Sequence, residues 1–167
     1  GNASSSPSVA VTTGGFAYFA AFTAQTGVEL WKSDGTSAGT TLVADLAPGA
    51  LGSAPAALTV LGGLVYFTAT TPTYGRELWR TDGTTAGTQL VKDIGPGALD
   101  GNVSNLTAIG TKLWFTAGDA TTGGEPWTSD GTSAGTLLLK DIAFGPTGSG
   151  AQGYTAVGTG VVFSAND

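Results

Sequence analysis

Short runs of apolar or alternating residues recur along this chain, and turn residues separate them. In residues 56–103 the runs form two hairpins, of which the first is the more apolar, and the Gly62-Gly63 pair between its strands tolerates the positive φ angles of a tight turn. Asp82-Gly83 makes the turn of the second hairpin. No segment shows helical periodicity over as much as three turns. The pattern predicts an all-β fold, and the strands predicted in this stretch are LTVL (58–61), LVYFTA (64–69), ELWRT (77–81) and TQLVKDI (88–94).

The same group of runs repeats at a constant period. The Glu-x-Trp motif begins at residues 29, 77 and 125, so its copies lie 48 residues apart. A phenylalanine column follows the same period and extends into a fourth copy (Phe19, Phe67, Phe115 and Phe163). A strict period in this range indicates a repeat architecture. We therefore divide the chain into a linker (1–7), three full repeats (8–55, 56–103 and 104–151) and a partial fourth repeat (152–167).

Four antiparallel strands in each period are typical of β-propeller blades. In such a blade we expect the first hairpin to be buried between neighbouring units and the second to meet water. Three full units and the first hairpin of a fourth are fewer than the four to eight blades of a closed ring. Both ends carry the same first hairpin, so they duplicate each other and do not complete one blade. We expect the partners to be other copies of the chain or further repeats of a longer chain, because an isolated monomer would expose an edge and an apolar face.

Composition excludes several classes of function. The 167 residues contain no cysteine, methionine or histidine, which excludes thiol catalysis, disulfides and histidine-based sites. The net charge of −6, without a basic cluster, argues against nucleic acid as a partner. No apolar run approaches the roughly 20 residues of a membrane span, so membrane insertion is not expected. An acidic surface without oxidisable sulfur suits the outside of a bacterial cell.

Nine of the twelve acidic residues fall in repeated columns, which favours a structural role. We expect each Asp-Gly-Thr aspartate to accept hydrogen bonds from its turn, and each glutamate to accept from backbone or threonine hydroxyls. The tryptophans should cover the seams between units with the indole N–H bonded outward. Pro126 should make its strand an edge or delay its start. The alternative is a weak calcium site in each unit, with no other cofactor expected. Its ligands would be Glu29, Asp34, Glu77, Asp82, Glu125 and Asp130.

Binding function is expected where the units differ, in the links before the motif (23–28, 71–76 and 119–124). Tyr74 and Arg76 form an aromatic and cationic pair there that suits a sugar or a peptide, although a solvated loop is the simpler interpretation. A lectin would instead use groups repeated in every unit, of which the aromatic candidates are Trp31, Trp79 and Trp127. Catalysis is not expected, since a catalytic carboxylate pair is a single asymmetric arrangement and these acids occur three times.

The motifs ELWKSDGT, ELWRTDGT and the divergent EPWTSDGT, with AGT, LVKDI and GPG after them, resemble the bacterial repeat proteins named for ELWxxDGT. The resemblance implies a secreted or surface-attached protein and supplies no catalytic residues. Together with the residue patterns, it predicts a non-catalytic extracellular scaffold or an adhesion and recognition module, with surface proteins or glycans as partners. A multivalent carbohydrate-binding lectin and a calcium-stabilised repeat module are the alternatives.

Overall fold

The computed structural model describes residues 10–167, which form an all-β structure of fourteen strands in four antiparallel sheets. The predicted linker 1–7 and the predicted start of the first repeat at residue 8 lie outside the described residues. The strands of the first two units are β1 (Val11–Thr13), β2 (Phe16–Thr23), β3 (Gly27–Ser33), β4 (Thr41–Ala44), β5 (Ala56–Leu61), β6 (Leu64–Thr71), β7 (Gly75–Thr81) and β8 (Gln89–Lys92). The remaining strands are β9 (Ser104–Ile109), β10 (Lys112–Ala117), β11 (Glu125–Ser129), β12 (Leu137–Leu138), β13 (Gln152–Val157) and β14 (Gly160–Ser164).

Each of the first three sheets is an up-and-down meander of four consecutive strands, and the fourth sheet is the hairpin β13–β14. Strands β2, β6, β10 and β14 begin 48 residues apart, as do β5, β9 and β13. The four strands predicted between residues 56 and 103 are all present, with ends shifted by up to two residues. Strand spacing in the fold therefore follows the sequence period.

Turn chemistry explains why the strands end where they do. Gly62 and Gly63 have φ angles of +58° and +84°, as their pairing in a tight hairpin predicts. Gly83 has a φ of +90° beside Asp82, which confirms the second predicted turn. Strand β11 begins at Glu125, two residues later in the period than β3 and β7, because Pro126 has no N–H for the ladder.

The distribution of burial differs from the expectation for inner and outer hairpins. The first strand of the second unit, β5, is half-exposed, whereas the middle strands β6 and β7 are both buried. Phe67 on β6 and Leu78 on β7 are fully inaccessible. The prediction that the second hairpin meets water is therefore wrong for its first strand. A middle strand has neighbours on both sides within its sheet, and adjacent sheets cover its faces.

The sheets stack in chain order, and two hydrophobic cores fill the spaces between the first three. Alternation along each strand sends neighbouring residues into different cores. Phe67 and Trp79 of the second unit pack with the first unit, and Tyr66 and Leu78 pack toward the third. We call the face toward the preceding unit the front face and the face toward the following unit the back face. Successive sheets also contact each other through their first strands, β1 with β5, β5 with β9, and β9 with β13.

Across residues 10–167, no helix is long and apolar enough to cross a membrane.

Candidate functional site

The third strand of each four-stranded sheet connects two rims of the structure. The end that carries the glutamate lies beside the links before the motif and the linkers between units. We call this end the linker rim, and it consists of loops 45–55, 93–103 and 139–151 together with those links. The other end leads into the Asp-Gly-Thr loops, which we call the turn rim (34–40, 82–88 and 130–136). About 16 Å of extended strand separates Glu29 from Asp34, so the two acidic columns serve different rims.

Glu29 is fully buried and holds the first linker in place. Its Oε1 accepts hydrogen bonds from the backbone N–H groups of Ala47 (3.1 Å) and Ser53 (2.9 Å). Its Oε2 accepts the hydroxyl of Ser53. Burial is the main reason that the pKa of Glu29 is raised, and these hydrogen bonds oppose the rise.

Glu125 makes the same contacts in the third unit with one donor more. Its carboxylate accepts from the N–H groups of Ile142 (3.0 Å), Ala143 (3.2 Å) and Ser149 (2.7 Å), and from the Ser149 hydroxyl (2.7 Å). Burial disfavours the charged form, but the four hydrogen bonds outweigh it, so the pKa of Glu125 lies below its usual value.

Glu77 lacks the hydroxyl partner, because Gly101 stands where the other units have serine. Its Oε1 accepts the Gly95 N–H at 2.6 Å. Its Oε2 is buried without a hydrogen-bond partner among the described residues, and the Gly101 N–H donates to the Arg76 carbonyl instead. Burial, with a smaller contribution from the nearby Asp93 charge, raises the pKa of Glu77 to about 7. The sequence prediction of backbone donors is correct, but the hydroxyl donors are serines and not threonines.

Each Asp-Gly-Thr loop is organised by its aspartate, as the sequence predicts. Asp82 Oδ1 accepts the Thr84 N–H (2.8 Å) and the Thr84 hydroxyl (2.7 Å). Asp34 and Asp130 make the equivalent two bonds. These threonine hydrogen bonds are the main reason that the pKa values of the three aspartates lie below their usual range. No group of three or more acidic side chains within residues 10–167 is arranged to hold a metal ion.

Two of the repeated tryptophans, Trp79 and Trp127, lie in the packing between sheets, and Trp31 lies on the front face of the first unit. Trp79 is 8% exposed and packs in the core between the first two units, while Trp31 and Trp127 are half-buried. Their Nε1 atoms are buried without hydrogen-bond partners among the described residues, so the prediction of outward-bonded indoles is wrong. Trp79 and Trp127 lie among the apolar side chains of the two cores, which offer no acceptor.

Tyr74 and Arg76, the predicted ligand-binding pair, both make contacts within the fold. The Tyr74 ring meets Trp79 edge-on, with centroids 6.3 Å apart. The Arg76 guanidinium donates to the Thr68 hydroxyl and the Ala54 carbonyl, and its backbone N–H donates to Asp100 Oδ1 at 2.8 Å. Arg76 thus holds two linker segments against the sheet.

The linker loops present apolar side chains to solvent, which the sequence interpretation missed because it treated these segments only as connections. Leu51 is 90% exposed, Phe144 is 88% exposed and Leu99 is 57% exposed. A cleft of about 380 Å³ lies beside Leu51, between loop 47–52 and residues 70–72 of the next unit. A leucine or phenylalanine isolated within a Gly-Pro loop, with no strand pattern to place it in a core, is the signal that could have identified them.

Residues 10–167 thus form a repeat structure without helices, in which stacked sheets carry the loops of the linker rim. The chain matches no protein-family model and no curated protein sequence.

Proposed function

We propose that this chain is a non-catalytic scaffold and recognition module of a secreted or surface-attached bacterial protein, and that the linker rim contacts its partners. One observation carries the proposal. Apolar side chains are exposed on loops whose backbone is hydrogen-bonded to buried glutamates, so the linker rim presents apolar groups on ordered loops. Exposed large apolar side chains recur on this rim in three successive units, and apolar surface of this kind commonly marks an interaction site. Loops that are already ordered lose less entropy when a partner binds.

We further propose that the sheets are propeller-type blades. Successive units approach through their first strands, which is the arrangement of blades around a common axis. The half-exposed first strand and the buried middle strands of the second unit agree with that arrangement. The four sheets of the described chain do not close into a ring, so further units or further copies would complete it.

The resemblance to ELWxxDGT proteins and an acidic composition without oxidisable sulfur support a location outside the bacterial cell. The hydrogen bonding of the repeated acids supports a structural role for them over a catalytic one. A lectin that used the repeated tryptophans would need all three exposed, whereas Trp79 and Trp127 are packed between sheets. Surface proteins fit the apolar rim better than glycans, because leucine and phenylalanine offer no hydrogen bonds to sugar hydroxyls.

The test compares binding by the full chain with binding by two variants, using a panel of purified bacterial surface proteins and a glycan array. The rim variant replaces the three exposed apolar residues together (Leu51→Ser, Leu99→Ser and Phe144→Ser). The control is Val157→Ser, which removes an apolar side chain as exposed as Leu99 (58% against 57%) beside the turn at the opposite end of the sheets. We expect the rim variant to lose binding and the control to retain it. Equal loss in both variants, or glycan binding that the rim variant keeps, would contradict the proposal.

A further inference from the structure

The same contact between successive units occurs twice in this chain. Lys32 of the first unit donates from Nζ to the Gly83 carbonyl of the second at 2.8 Å. Arg80, at the equivalent position of the second unit, donates from Nη1 to the Gly131 carbonyl of the third at 3.0 Å. In both cases the cation lies on one unit and the acceptor is the glycine of the next Asp-Gly-Thr loop.

A tyrosine completes each contact. The Tyr18 hydroxyl occupies the space that a Cβ on Gly83 would need, and the Tyr66 hydroxyl does the same at Gly131. Both glycines have a φ of +90° and both are buried. Each Asp-Gly-Thr loop with a buried glycine is therefore contacted by one cation and one tyrosine from the preceding unit.

The loop of the first unit has the same shape but no occupant among the described residues. Gly35 has a φ of +91°, is exposed, and has no heavy atom within 4 Å of its Cβ position. Among the described residues, the front face beside it is also less covered than the equivalent face of the second unit. Phe19 and Trp31 are half-buried, whereas their equivalents Phe67 and Trp79 are 0% and 8% exposed.

We propose that the front face of the first unit, centred on Phe19, Trp31 and Gly35, is a docking surface for the back face of another unit of this kind. The partner must carry tyrosine and lysine or arginine at the positions of Tyr18 and Lys32. The proposal continues an interface already formed twice in the chain, and it rests on the proposed stacking of blade-type units.

A second copy of this chain fits the surface less well than such a unit does. The back faces of the first two units are already covered by their neighbours. The third unit has Trp114 and Thr128 at the two key positions, and Thr128 donates to the Leu113 carbonyl of its own sheet. The fourth hairpin has Val162 at the tyrosine position. Within residues 10–167, no back face that carries both groups is free.

The test extends the full chain by one unit. A copy of residues 56–103 is inserted between residues 7 and 8, which preserves the 48-residue period. Ala17→Cys then reports on the front face of the first unit, because the chain has no other cysteine. The matched control is Val65→Cys at the equivalent, fully buried position in the second unit. We expect a maleimide to label Ala17→Cys quickly in the original chain and at least about tenfold more slowly in the extended chain, approaching the rate of the control.

A second arm isolates the cation. In the added unit, the copy of Arg80 is changed to Thr, the residue that the third unit carries naturally. We expect this change to restore part of the labelling and to lower the melting temperature of the extended chain.

Unchanged labelling on extension would overturn the proposal. Concentration-dependent protection of Ala17→Cys in the original chain, with a dimer mass by light scattering, would overturn it in favour of self-association. Partner binding at the linker rim is measured separately, so failure of either proposal is recognised by itself.

Discussion

Gly101 lies against the Glu77 carboxylate at the position where Ser53 and Ser149 give their hydroxyls to Glu29 and Glu125. One missing hydroxyl leaves a buried oxygen without a donor, and the pKa of Glu77 rises to about 7 while that of Glu125 falls. The three equivalent glutamates thus differ in pKa because their hydrogen-bond donors differ.

The stability of the chain should depend on the protonation of Glu77. The pKa in the fold is about 7 against 4.5 for the free side chain, so the folded state binds this proton more tightly than the unfolded state. The contribution is fully present below pH 4.5 and is lost as the pH rises through about 7. We expect Glu77→Gln, which is neutral at every pH, to match the parent near pH 4.5 and to be more stable by roughly 1–3 kcal/mol at pH 8. Urea denaturation across this range measures the difference.

Glu125→Gln is the matched control for that experiment, with the opposite sign. Its carboxylate has four donors and a lowered pKa, so its ionised form stabilises the fold. We expect this variant to be destabilised at pH 8 by about 1–3 kcal/mol, because charged hydrogen bonds between the buried carboxylate and the linker are lost. Similar effects of both glutamine variants at pH 8 would contradict the difference between the two sites.

Gly101→Ser should supply the missing donor to Glu77. A Cβ on residue 101 would lie 2.5 Å from both carboxylate oxygens, so the carboxylate must shift to make room for it. We expect the pKa of Glu77 to fall and the stability at pH 8 to rise by roughly 1 kcal/mol. Gly101→Ala is the control, since it adds the carbon without the hydroxyl. A serine variant no better than the alanine variant would show that the hydroxyl does not reach Oε2.

The Asp-Gly-Thr loops should differ in sensitivity according to whether a preceding unit covers them. Asp82→Ala removes two hydrogen bonds from a loop that also receives Lys32, whereas Asp34→Ala removes the same two bonds from an uncovered loop. We expect Asp82→Ala to lower the melting temperature more than Asp34→Ala does. Thermal unfolding of the two variants measures the comparison, and equal costs would argue that the loop and the interface are independent.

The second glycine of the loop should be required because of the aspartate. A Cβ on Gly87 would lie 2.1 Å from Asp82 Oδ1. We expect Gly87→Ala to destabilise the chain by about 1–3 kcal/mol through this overlap. In the Asp82→Ala background the same change should cost much less, because the overlapping atoms are gone. Additive costs in the double variant would mean that Gly87 is needed for its backbone alone.

The sequence predicts those features that depend on neighbouring residues. Strands follow from alternation, and the Asp82 loop follows from side-chain groups within two positions of each other. The serine that bonds to Glu29 lies 24 residues away, so predicting this partner requires knowledge of how the linker is aligned with the strand. The unsatisfied indole of Trp79 and the exposure of Leu51 depend on how sheets and linkers pack, which local patterns do not encode.

The contacts of Lys32 and Arg80 both run from a unit to its successor along the chain. The stack therefore has a direction, and its two ends are chemically different. Loss of the first unit removes a cation from the second, whereas loss of the third unit leaves Arg80 without its acceptor. Unfolding that begins at one end consequently meets a different sequence of barriers from unfolding that begins at the other, even though the sheets themselves are near copies.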